Sequence, residues 1–196
     1  MTTPERPKLQ TYTLSSGYVL PSIHAWPPFF TQQRNPTIIA DQISHWTRII
    51  LSYARHRRLF VLRIQDADLR EDNQWSEIFW NPRIKRVMKP RHLETLIESM
   101  VNAGEAAYEP PRQTSSVLIF WRTPEEWAEL LHEWATNTGH LNTILTFYEI
   151  IEPEVPSQFT DMPLPLLRKA LNTLTKTGRA QIIERAEGGG VRFFAR

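Results

Sequence analysis

Thiol chemistry is closed to this sequence. It contains no cysteine, which excludes a disulfide framework, a thiolate zinc site and a thiol nucleophile together. Histidine and carboxylate remain. There are six histidines, and no two stand at metal-ligand spacing with a carboxylate nearby. His132 beside Glu133, on the helix that follows a capping box, reads as surface chemistry. The run "DADLRED" gathers Asp66, Asp68, Glu71 and Asp72 but lacks the glycine turn and bidentate glutamate of a calcium loop, so it reads as a solvated acidic loop. "GGG", at Gly188 to Gly190, lies between two strand-like runs rather than at a strand-to-helix junction, which makes it a hairpin turn and not a phosphate cradle. No nucleophile elbow is present. The expectation is a protein that is not an enzyme, with no catalytic residues, no metal and no cofactor.

Two kinds of recognition chemistry are left. The first is aromatic: "WPPFF", Trp26, Pro27, Pro28, Phe29 and Phe30. The two prolines remove two backbone donors and favour an extended, polyproline-like path. The three large rings need burial, either on this chain or in a partner's groove. Burying one Phe is worth about 1.5–3 kcal/mol, so two of them could anchor a complex. The second is basic: Arg168, Lys169 and Lys176 on one helix, with Arg192 on a following strand. Such a surface could hold phosphates, and it is also the ordinary look of a solvated helix face.

The elements that must carry these groups follow from periodicity. A chain of 196 residues with 41% hydrophobic content can form one medium domain or two small ones. With 22% charged residues and a net charge of +2, it is globular in composition and not marked as a nucleic-acid binder. Residues 1–36 are rich in Pro, Thr and Ser and read as an extended arm; the absence of an apolar signal core there points to a cytoplasmic protein. Ile39, Ile43, Trp46, Ile50 and Tyr53 recur at helical spacing, with "RHRR" at the C-terminal end. "LFVLRI" is strand-like, and "WSEIFWNPRIKR" is ambiguous. A helix opened by Pro90 buries Leu93, Leu96, Ile97, Met100 and Val101 and stops at Gly104. The strands "EAAYE" and "VLIFW" follow it.

"TPEEW" starts again, with a capping box of Thr123 and Glu126 and a stripe of Trp127, Leu130, Leu131 and Trp134. "NTILTFYEII" reads as a short helix, and Leu164 to Thr177 as a longer one that ends at Gly178. "AQIIE" and "VRFFA" close a second hairpin. The halves superpose in one register: Leu93 on Leu167, Ile97 on Leu171, Met100 on Leu174, Gly104 on Gly178 and Val117 on Val191. Each half is helix, shorter element, helix and hairpin, the order of a winged helix. The expected fold is α+β and mainly helical: an arm over 1–36, one winged helix over 37–121 and a second over 122–196.

Winged helices commonly read DNA, so a DNA-binding regulator is the alternative reading. The third helix of the first unit exposes Glu94 and Glu98 after Arg91, which would repel phosphate. That of the second could bind it through Arg168, Lys169, Lys176 and the wing residue Arg192.

Three blocks, "PPFFTQQRN" (27–35), "WRTPEEWAELLHEWATNTGHLNTILTFYEI" (121–150) and "GGGVRFF" (188–194), resemble the small subunit of the ESCRT-II complex, the vacuolar protein-sorting-associated protein 25 family. The resemblance runs from about Trp26 to the C-terminus. It implies two tandem winged helices in a non-catalytic adaptor, present in two copies on a core of two larger subunits. The motif at Trp26 to Phe30 would enter pockets on those core subunits. The second winged helix would recruit the subunit that nucleates ESCRT-III assembly; Arg168, Lys169, Lys176 and Arg192 are its candidate contacts. The implied process is sorting of ubiquitinated cargo at endosomal membranes, with peripheral recruitment, indirect membrane contact and no direct nucleic-acid partner. The sequence departs from the family in a longer arm before Trp26 and an expanded segment from Asp66 to Trp80.

Overall fold

Leading into the first long helix, the chain makes short local elements rather than an extended arm. In the computed structural model, which describes residues 11–68, 73–184 and 188–195, β1 (Tyr12–Thr13) pairs antiparallel with β2 (Val19–Leu20). Two 3-10 turns follow, Ser22–Ala25 and Pro27–Phe30. The proline pair thus opens a turn instead of extending the chain. A proline at the first helical position loses nothing, because its missing N–H would have no partner there. Phe29 N–H donates to the Trp26 carbonyl at 3.0 Å and Thr31 N–H to that of Pro28 at 3.1 Å.

Helix α1 (Pro36–Arg57) is capped by the Asn35 side chain, which accepts from the N–H of Thr37 and Ile38. Trp46, Ile50 and Tyr53 of its predicted stripe are fully buried, while Ile39 and Ile43 are half-buried. Arg55, His56 and Arg57 occupy its last turn, and Arg58 ends it in the left-handed region. β3 (Val61–Arg63) leads to a 3-10 turn in which the Asp66 carboxylate accepts from Arg63 N–H at 2.7 Å. Asp66 is therefore a local cap; Glu71 and Asp72 lie outside the described residues. The ambiguous segment resolves into α2 (Ser76–Phe79) and a ribbon of β4 (Trp80–Asn81) with β5 (Arg86–Val87). α3 (Pro90–Asn102), β6 (Ala106–Tyr108) and β7 (Ser116–Ile119) complete the first unit.

The second unit opens with α4 (Pro124–Asn137), whose Thr123–Glu126 capping box forms as expected. The stretch expected as one short helix divides. Ile144 to Thr146 pair as β8 (Ile144–Thr146), and a second capping box, Thr146 with Glu149, starts α5 (Phe147–Ile151) only after it. The apolar pattern hid this, because a four-residue run has the same look in a strand and a helix. α6 (Leu164–Lys176), β9 (Ala180–Ile183) and β10 (Gly190–Phe193) follow.

The two units repeat in detail. Their sheets have the orders β3–β7–β6 and β8–β10–β9, all antiparallel. Leu62 pairs with Val117 as Leu145 pairs with Val191. Leu93, Ile97, Met100 and Val117 are buried, as are Leu167, Leu171, Leu174 and Val191. Gly104 and Gly178, at φ 74° and 71°, close the same helix ending. In each, the glycine N–H bonds three residues back and the next N–H five residues back, the Schellman arrangement, which needs a left-handed residue at that position. The chain divides into its two compact units between Trp121 and Arg122. The fold is α+β, a tandem of winged helices.

Candidate protein-binding site

The aromatic motif is built onto Trp46. Phe29 stacks on the Trp46 ring with centroids 4.4 Å apart and planes within 6°. Phe30 meets the same ring edge-on at 5.3 Å and 87°. Both phenylalanines lie inside the first unit, 1% and 2% exposed. Trp26 is 45% exposed, and Pro27 and Pro28 are half-buried. The motif therefore has an inner and an outer part. Of the two sites left open for the rings, Phe29 and Phe30 take the one on their own chain, because the face of Trp46 would otherwise be uncovered. The stripe of α1 was not complete without them.

Polar groups fix the turn from below. The Phe29 carbonyl accepts from Trp46 Nε1 at 3.0 Å and from Gln42 Nε2 at 2.7 Å. Gln42 Nε2 also reaches the Thr31 carbonyl at 2.9 Å, and Gln33 Nε2 donates to the carbonyls of Pro28 and Thr31. These bonds give the Phe29 and Thr31 carbonyls partners that the 3-10 turn does not supply, and the two to Phe29 are strengthened by burial. Gln42 stands one helical turn before Trp46 on the same face, so a polar residue on that buried stripe was the legible signal for this role.

Two buried histidines flank the rings. His24 contacts Phe30 edge-on at 4.9 Å. Its Nε2 lies 2.7 Å from the Ile78 carbonyl, which can only accept, so Nε2 carries the proton. Nδ1 then accepts from Asn81 Nδ2 at 3.2 Å, and the same amide donates to the His24 carbonyl at 2.8 Å. Burial holds His24 below the usual imidazole range against the pull of the Ile78 bond. His92, on α3, faces Trp46 at 6.5 Å; burial lowers it too, opposed by the Phe30 backbone, and its Nδ1 has no partner. Both rings are neutral supports of the turn.

The basic residues of the second unit do not form one field. Arg168 makes a two-point pair with Glu184 at 2.6 and 3.2 Å and lies over the Phe147 ring at 4.8 Å. Arg192 Nε donates to the Asn142 carbonyl at 3.2 Å. Lys169 and Lys176 stand two turns apart on α6 and are exposed. His132 Nε2 donates to the Phe194 carbonyl at 2.9 Å, a structural bond. Among the described residues, no group of three His, Asp or Glu is placed to hold a metal ion, and no helix is long and apolar enough to cross a membrane.

Residues 23–163 match the profile of the family described as ESCRT-II complex subunit. Vacuolar protein-sorting-associated protein 25 of Danio rerio is 32% identical over 171 residues, covering 86% of this chain and 94% of that protein. Its counterpart in Drosophila melanogaster is 33% identical over 173 residues, covering 87% and 95%. The crystal structure of subunit VPS25 of the endosomal trafficking complex ESCRT-II superposes with a TM-score of 0.75 at 26% identity, covering 88% of this chain and 98% of that one. A chain in the crystal structure of the endosomal complex ESCRT-II (VPS22/VPS25/VPS36) shares the fold, with a TM-score of 0.74 at 24% identity and coverage of 92% and 100%. The chain belongs to the ESCRT-II complex subunit family.

Proposed function

We propose that this chain is a non-catalytic adaptor of an ESCRT-II complex. Its first winged helix docks on two larger core subunits, and its second recruits the subunit that nucleates ESCRT-III. The observation that carries the reading is the division of the Trp26–Phe30 motif. Two buried rings and a set of side-chain amides hold a turn whose outer face, Trp26 with Pro27 and Pro28, stays open. A preformed apolar turn loses little conformational entropy on binding, which suits an anchoring role. In this reading all five residues serve the joint: Trp26, Pro27 and Pro28 by contact, Phe29 and Phe30 by fixing the turn. Lys169 and Lys176 are the accessible candidates on the second unit, with Arg168 and Arg192 held by neighbours beside them. Two copies per complex would present two recruiting sites and raise the effective concentration of the recruited subunit. Recruitment to endosomal membranes is peripheral, through the complex. The DNA-binding alternative is weakened by the Arg168–Glu184 pair and by Glu94 and Glu98 on the exposed side of α3.

The test is the native mass of the chain co-expressed with VPS22- and VPS36-type subunits. A complex with two copies of this chain, lost in Trp26→Ala/Pro28→Ala while that variant keeps the wild-type melting profile, supports the reading. A wild-type chain that stays alone overturns it.

A further inference from the structure

Between Phe79 and Leu93 the sequence holds five cations and no carboxylate: Arg83, Lys85, Arg86, Lys89 and Arg91. All five are exposed, and among the described residues none of them makes an ion pair. The first three stand on the β4–β5 ribbon and its turn. Lys89 and Arg91 stand at the start of α3, which has no acidic residue in its first turn and no side-chain cap. Cations at the positive end of a helix destabilise it. A fold that keeps a field of one sign in such a place, where a single glutamate would relieve it, departs from local consistency in the way functional surfaces do.

A second observation adjoins the ribbon. A groove of about 310 Å³ opens beside it, walled by Tyr12, Leu14, Leu20 and Trp80, with Arg83 on its lip. The rims are wet aromatics: Tyr12 is 47% and Trp80 44% exposed. The Arg83 guanidinium lies over the Tyr12 ring, 4.6 Å from its centroid. One carboxylate lines the groove, Glu77, and its oxygens are taken by Ser15 at 2.6 Å and Tyr53 at 3.0 Å. The groove is apolar and concave beside an unpaired cationic strip.

We propose that the β4–β5 ribbon and this groove bind an acidic peptide segment of a partner protein. One bulky apolar side chain enters the groove between Tyr12 and Trp80, and carboxylates flanking it pair with Arg83, Arg86 and the neighbouring lysines. Concavity favours a peptide over a bilayer. A membrane surface supplies negative charge but nothing that fills a recess, and it is engaged by apolar groups that protrude. The site adjoins the turn of Trp26 to Phe30, since β5 packs against Pro27–Phe30 and His24 lines the groove, but it does not rest on the role proposed for that turn.

The experiment is selection of a random dodecapeptide phage library on the immobilised full chain. Recovered sequences should converge on one bulky apolar residue flanked by Asp or Glu. A synthetic peptide of that sequence should bind at least tenfold more weakly to Arg83→Glu/Arg86→Glu, and more weakly still as salt is raised. Arg83→Gln/Arg86→Gln, which removes charge without reversing it, should give a smaller loss. Failure to converge, convergence on peptides without acidic residues, or affinity indifferent to charge reversal overturns the proposal. So does flotation of the chain with phosphatidylcholine/phosphatidylserine vesicles in the absence of any selected peptide, which would assign the strip to a membrane surface.

Discussion

At the scale of single residues, Trp46 gathers most of what is specific to the first unit. Its ring is covered by Phe29, edged by Phe30 and approached by His24 and His92, and its Nε1 is bonded. Phe29→Ala removes the stacked partner and leaves a cavity over the indole. The expected loss is about 3–5 kcal/mol, the range for a buried Phe truncated to Ala, read as a lower urea midpoint of the isolated chain. Trp26→Ala should cost the isolated chain far less, because nearly half of that side chain is in water. An unchanged midpoint in Phe29→Ala would mean that the ring is not needed by its own unit. The histidines give a second prediction. Burial depresses both, so the unfolded chain takes up protons first as pH falls. Their contribution is intact above the unfolded value of about 6.5 and is lost as pH falls from there through the lower folded values. The urea midpoint should therefore drop between pH 7.5 and 5.5, and drop less in His24→Gln/His92→Gln. Asp66 and Glu105, which burial raises, act in the opposite sense but are common to both chains and cancel in the comparison. Equal pH slopes in the two chains would remove the histidines from the account.

The elements show which physical signals a sequence carries openly. Caps are local, and they were legible: the Thr123–Glu126 box, the prolines that open helices and the glycines that end them all depend on residues within one turn. The Thr146–Glu149 box is the same motif, but the continuous apolar run on either side of it has the look of one helix and masks it. It carries a prediction. Thr146→Ala removes the acceptor for Glu149 N–H and should destabilise the second unit by about 1 kcal/mol. Thr146→Ser should restore most of that in the same urea titration; no difference among the three chains would show that α5 is held by packing alone. What could not be read locally was tertiary. That Phe29 and Phe30 turn inward depends on an indole face seventeen residues away and on Gln42 bonding to a carbonyl thirteen residues back. The ribbon in "WSEIFWNPRIKR" depends on pairing of two-residue strands too short to give a period. The basic set of the second unit was legible as composition but not as a field, since Arg168 finds Glu184 across sixteen residues.

For the whole molecule the internal repeat is the governing fact, because it says what can fold alone. Each unit has its own three-stranded sheet in the same order, its own helix with a Schellman ending and its own buried stripe. The core of the second unit is drawn from within residues 122–196: Trp127, Leu131, Phe159, Leu167, Leu171, Leu174, Val191 and Phe193 are all buried there. Domains of this size fold when one such core is closed, and closure is what lets an adaptor use each end separately. Residues 122–196 expressed alone should therefore unfold cooperatively, with dispersed amide resonances, and should bind the ESCRT-III nucleating subunit as tightly as the full chain does. A folded fragment that fails to bind would move recruitment onto the first unit and overturn the proposed division of labour between the two winged helices. A fragment without cooperative unfolding would show that the second repeat relies on the first for its core, against the register that makes the two equivalent.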